Sequence, residues 1–215
     1  MNHAGPPNDA IAPIAPSDPQ VAAVLAFWFG EPGSAECETF RDLWFRKSDA
    51  TDREIAERFG PLIEGALRGE LADWAREAQS ALAQIVLLDQ FTRNVFRDTP
   101  RAFAGDARAL AAASAMVAQR QDETLPALQR AFVYMPFEHA EHIGAQDEAV
   151  RLFARLAGSS PPAAVAPGLQ QMLDYAEKHR AVIRRFGRFP HRNAILGRHS
   201  TPAETAFLQE PGSRF

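Results

Sequence analysis

The sequence predicts an all-α fold, and three observations carry the prediction. Apolar residues recur at helical spacing through most of the chain. Helix-start signals precede several of these runs, and no segment shows sustained period-two alternation bounded by hairpin turns. The reading gives about eight or nine helices with short connections, arranged as antiparallel pairs.

Residues 1–17 contain Pro6, Pro7, Pro13 and Pro16 among small residues and are read as a disordered, Pro-rich tail ahead of one all-α domain over residues 18–215. Asp18-Pro19-Gln20 supplies a helix N-cap, a first-position proline and a possible capping-box glutamine. Val21, Val24, Leu25 and Trp28 then form one apolar stripe, ended by Gly30-Glu31-Pro32-Gly33. Phe40, Leu43 and Trp44 predict a short second helix. Ile55, Phe59, Leu62, Ile63, Ala66 and Leu67 predict a third, which Pro61 should kink or split. Residues 80–96 are apolar nearly all round, the mark of a central helix. Thr99-Pro100 restarts a helix that continues through Val117, and Leu125, Leu128 and Phe132 begin the next. Pro136 should break or bend the chain before a long helix to about Ala157. Leu169, Met172, Ala176, Ile183 and Phe186 mark another, and Thr201-Pro202-Ala203-Glu204 combines cap, proline and capping-box glutamate for the last.

With 215 residues, 46% of them hydrophobic, the chain can bury a substantial core, and a net charge of −4 argues against general attraction to nucleic acid or anionic membranes. The charge is uneven: Lys178 to Ala203 holds seven Lys/Arg and no Asp/Glu. The lone Cys37 excludes an internal disulfide framework. With neither a signal-peptide pattern nor a membrane-length apolar run, the expected location is the cytoplasm.

The polar motifs concentrate in three places. Phe91-Thr92-Arg93-Asn94, Arg97 and Thr99-Pro100 are echoed by Arg192-Asn193, Arg198 and Thr201-Pro202, within FGRFPHRNAILGRHSTPAE (Phe186 to Glu204). Between them lies Tyr134-Met135-Pro136-Phe137-Glu138-His139-Ala140-Glu141-His142. Asp89, Glu138, His142 and His179 occupy apolar helical stripes, so burial would oblige them to find partners, with Arg93, Arg192 and Arg198 as the natural cations. One reading is an internal brace that fixes how helices cross. The other is a cleft binding a small anionic molecule or a peptide carboxylate through Asp89, Arg93, Asn94, Tyr134, Glu138, His139, Glu141, Arg188, His191, Arg192, Asn193 and Arg198, with Glu138, His142 and His179 as candidate catalytic groups for acid/base chemistry. Glu138 to His142 matches neither His-Glu-x-x-His nor paired Glu-x-x-His, and neighbouring arginines repel a cation, so neither metal nor other cofactor is expected. Phe186 and Phe189 in the basic window are read as core anchors rather than base-stacking platforms, and Gly30 and Gly33 as a helix terminator rather than a phosphate cradle. Serine and cysteine nucleophile patterns are absent.

LLDQFTRNVFRDTPRAF, YMPFEHAE and FGRFPHRNAILGRHSTPAE together resemble a bacterial family known as domain of unknown function 924, over about Val21 to Gly212, with VLAFWFG and the closing PGSRF also fitting. Asp89, Gln90, Phe91, Arg93, Asn94, Tyr134, Pro136, Glu138, His139, Glu141, Gly187, Arg188, Phe189, Pro190, His191, Arg192, Asn193, Gly197 and Arg198 match its motif positions. Thr92 stands where the family has proline, and Ala140 where serine is common. The resemblance implies a tetratricopeptide-like helical fold and no established reaction, substrate or cofactor. The expected role is therefore binding of a small anion or acidic peptide end. An acid/base enzyme using Glu138 or His142 with Arg93 and Arg192, and a structural interaction module, are the alternatives.

Overall fold

A computed structural model describes residues 18–213, and the expected tail over residues 1–17 lies outside them. The described residues form helices and turns, without strands. Helix α1 (Pro19–Phe29) starts where Asp18 Oδ1 accepts the Gln20 N–H at 2.8 Å, and it ends at Gly30 with φ +93°. Its apolar stripe of Val21, Val24, Leu25 and Trp28 is buried. Two 3₁₀ turns, Ala35–Glu38 and Asp42–Trp44, stand where a short helix was expected. Tertiary bonds account for the difference. The last carbonyls of a helix have no partner within it; here Arg41 Nη1 donates to the oxygens of Phe27 and Trp28 at 2.6 and 2.9 Å, and Trp44 Nε1 donates to the Trp28 oxygen at 2.8 Å. The segment is shaped by capping α1.

Helix α2 (Asp49–Arg68) continues through Pro61, so the proline does not split it. Pro61 and Glu57 both lie on the exposed side, so the carbonyl deprived of its usual N–H faces water, while Ile55, Phe59 and Ile63 stay buried opposite. Helix α3 (Ala78–Ile85), a π-helical turn (Val86–Phe91) and helix α4 (Thr92–Val95) then follow one another without a break. All six π-turn residues are buried, which confirms the central helix read from residues 80–96. α1, α2, α5 (Asp106–Ala118) and α6 (Ala127–His139) all pack on this rod. A one-dimensional stack in which each pair touches only its neighbours would not give such a hub. Successive packing of neighbours is clearest from α6 through α7 (Ile143–Ala157) to α8 (Ala166–Phe186).

An aromatic knot ties the centre together. Trp28 meets Phe91 and Phe132 edge-on at 5.4 and 5.9 Å, and Trp44 meets Phe132 at 4.9 Å. Such pairs add about 0.5–1.5 kcal/mol each beyond their buried area. The knot joins α1, the π turn and α6.

Pro136 does not break the chain. α6 continues past it to His139, and the interruption falls at residues 140–142. Its cause is Gln146, whose buried Nε2 donates to the oxygens of Glu138 and Ala140 at 2.6 and 2.8 Å and so caps the end of α6. α7 then restarts with His142 as its N-cap, Nδ1 accepting the Ala145 N–H at 3.4 Å. The chain closes with a 3₁₀ turn (Pro190–Arg192) and α9 (Pro202–Phe207), whose start is the capping box predicted from Thr201 and Glu204. Phe189 is buried with Val182 and Ile183, and Phe186 stacks near Phe207 at 5.1 Å, so both phenylalanines anchor packing as expected.

Candidate functional site

The π turn decides what faces a sizeable cleft. Its i→i+5 geometry is rare and recurs at functional positions; here it carries Asp89 and Gln90 into the interior, just ahead of Arg93 and Asn94 on α4. Asp89 is 0% exposed. His139 Nδ1 lies 2.7 Å from its Oδ1, Gln90 Nε2 donates to Oδ2 at 2.5 Å, and Arg93 Nη1 sits 3.2 Å from Oδ1. Burial alone raises the Asp89 pKa, but His139, Arg93 and the hydrogen bonds from His139 and Gln90 outweigh it and hold the group below the usual carboxylate range. Asp89 is a permanent anion at neutral pH.

Two arginines from distant segments meet on one carboxylate. Arg93 binds Asp106 through both terminal nitrogens at 2.9 and 3.1 Å, and Arg192 Nη1 reaches the same group at 3.1 Å. Arg192 is 6% exposed, and its guanidinium lies against the rings of Phe103 and Phe189, 4.6 Å from each centroid. Its Nε has no hydrogen-bond partner among the described residues. Burial, and then the positive charge of Arg93, lower its pKa to about 10, which leaves it protonated at neutral pH. His191 beside it is pushed down to about 3, chiefly by burial and then by Arg192, so its imidazole is neutral.

A second carboxylate–imidazole pair adjoins the first. Glu138 Oε1 is 3.0 Å from His179 Nδ1, and the His139 and His179 rings are 6.3 Å apart. Together with Arg93, Asn94, His191 and Arg192 these side chains form the polar wall of a cleft of about 650 Å³. An apolar wall adjoins it and includes Phe40, Trp44, Met135 and Met172, with the Met135 sulfur 3.6 Å from Gln90 Nε2. Gly168 permits this wall: a Cβ there would meet the Phe40 ring at 2.2 Å.

The remaining predicted residues lie elsewhere or are committed to bracing. His142 is exposed at the start of α7 and does not share a face with Glu138, because the Gln146 cap separates the two helices. Tyr134 donates to buried Asp122 at 2.6 Å in a separate network with Arg130 and Arg155. Glu141 accepts both terminal nitrogens of Arg198, at 2.5 and 2.8 Å, and the Phe189 N–H at 2.7 Å. Asn193 accepts from Arg198 Nε at 3.0 Å and donates to Ser200. Arg188 makes a bidentate pair with Glu204, which holds that carboxyl down to about 2. Most of the basic window is thus neutralised internally, with Arg180 and Arg184 also paired to Asp147. In the earlier echo, Asn94 and Arg97 both bind Asp52 of α2.

Sequence reasoning missed Asp106, Gln90 and the apolar wall. Asp106 opens α5 and reads as an ordinary acidic first-turn residue. Among the described residues no three His, Cys, Asp or Glu side chains are grouped to hold a metal ion, and no helix is long and apolar enough to cross a membrane.

An all-helical protein with a cleft of paired arginines, carboxylates and imidazoles is the class that fold and site define. The chain belongs to the bacterial family of unknown function DUF924, whose model matches residues 24–212. It is also similar to a solved structure, a protein of unknown function, ATU0120, from Agrobacterium tumefaciens: 38% identity, TM-score 0.75, covering 88% of this chain and 96% of that one. No curated protein matched.

Proposed function

We propose that the cleft binds a small organic anion, with Arg192 as its anchor. The supporting observation is the state of that guanidinium: almost wholly buried, packed against two phenylalanine rings, and bonded at Nη1 to a carboxylate that Arg93 already engages twice. Its Nε–Nη2 edge has the fork spacing that suits a carboxylate or phosphate. In a thermal-shift panel of small carboxylates and phosphates, ligands that stabilise the wild type should lose their effect in Arg192→Lys, with apparent affinity falling at least about tenfold. The unliganded variant should melt within a few degrees of wild type, since lysine keeps the charge opposite Asp106. Equal shifts in both proteins, or none in either, would remove the anchor role.

The Asp89–His139 pair favours a second reading, an acid/base enzyme acting on that anion. A buried carboxylate that holds Nδ1 fixes the imidazole's orientation and tautomer and leaves Nε2 as the basic nitrogen. In the step envisaged, Nε2 takes a proton from the carbon beside the anchored carboxylate, the bonding pair stays on carbon, and a solvent-derived proton is returned. Organic acids incubated with the protein in D₂O should then gain deuterium at that carbon, and His139→Asn should abolish the gain. This assignment replaces His142, which the α6–α7 interruption places outside the cleft.

A further inference from the structure

The mouth and apolar wall of the cleft specify more than an anion. Among the described residues three large hydrophobic side chains are exposed, and two of them, Phe45 at 60% and Tyr175 at 42%, line this one opening. Arg46 and Lys47 lie beside Phe45. Met135 and Met172 add flexible thioethers to the lining and Phe40 and Trp44 add rings, next to the charged groups of the polar wall. The volume is ample for a drug-sized molecule and far exceeds what phosphate or acetate would fill.

The geometry points to an amphiphilic organic acid as the occupant: one carboxylate or phosphate head at Arg192, and an aryl or alkyl body lying along Met135, Met172, Trp44 and Phe45. This inference rests on the anion-binding reading and adds the chemistry of the part that is not charged. An acidic macromolecular surface fits less well, because the anchoring guanidinium is buried and the arginines of the C-terminal segment are largely occupied by Glu141, Glu204 and Asp147.

The test is a homologous series on the full chain: acetate, butyrate, hexanoate, octanoate and 4-phenylbutyrate, with inorganic phosphate and uncharged octanol as controls, followed by calorimetry and by Trp44 fluorescence. Affinity should rise by about three- to fourfold per methylene until the body fills the cleft, as expected for apolar groups leaving water. Phe45→Ala, at an exposed position, should flatten the rise for the longer members while leaving the melting temperature unchanged. Arg192→Lys should weaken all members by a common factor. Binding of acetate and phosphate as tight as that of the long acids would overturn the amphiphile while sparing the anion site. Octanol binding as well as octanoate, or a chain-length dependence that Phe45→Ala does not alter, would also overturn it. No binding by any member would sink both.

Discussion

Asp106→Ala should destabilise the protein by about 3 kcal/mol, the lower end of the cost of stranding a buried charge, because Asp106 is itself part-exposed but its partner Arg192 is buried. For a chain of this size that corresponds to a loss of roughly 6–12 °C in melting temperature. The magnitude follows from the asymmetry of the triad. Arg93 keeps Asp89 at 3.2 Å when Asp106 is lost, but among the described residues Arg192 keeps no carboxylate within salt-bridge distance and remains buried against two rings. Adding Arg192→Met to Asp106→Ala should recover much of the loss, since a well-packed apolar side chain there removes the orphaned charge. A melting temperature within about 2 °C of wild type for Asp106→Ala would show that the shared carboxylate contributes little.

Gly105→Ala is the second large effect, and its origin is steric rather than electrostatic. A Cβ at Gly105 would lie 2.1 Å from the Leu88 carbonyl oxygen and 2.8 Å from its carbon, both backbone atoms of the π turn that no rotamer change can move. The backbone at Gly105, φ −87°, is otherwise one that alanine adopts freely. Overpacking of this kind costs about 3 kcal/mol, and the displacement needed to relieve it would carry Asp106 away from both arginines. Gly60→Ala is the matched control. Its Cβ meets nothing within 4 Å in the middle of α2, so alanine there should stabilise by up to about 1 kcal/mol through helix propensity and reduced unfolded-state freedom. Equal melting temperatures for the two variants would refute the close approach.

What the sequence made legible was polarity in the wrong place. Asp89, Glu138 and His179 interrupt apolar helical stripes, and all three are buried with partners. The convergence of Arg93 and Arg192 was readable only as an echo between two segments; the carboxylate that joins them was not, because Asp106 looks like any acidic residue starting a helix. His142 was misplaced because nothing local marks residues 140–142 as a break. The break depends on Gln146, a residue that reads as one more polar position until its amide is seen capping α6. Pro61 and Pro136 interrupt neither of their helices, since a proline's local preference does not count the tertiary contacts or the water that can absorb it. The apolar wall escaped notice because Phe40, Met135 and Met172 are indistinguishable from core residues in sequence.

The π turn also fixes an angle. An α-helix advances each residue by about 100° around its axis and the wider i→i+5 winding advances it by less, so rewinding all six residues of Val86–Phe91 to plain α geometry would swing Arg93, Asn94 and Arg97 about the rod by roughly one residue's turn relative to α3. The three side chains would leave their partners Asp106 and Asp52 together, while most of the helices packed around the rod kept their places. The wider winding is thus how the rod holds one residue more than plain α geometry would while keeping these side chains on the face that meets their partners.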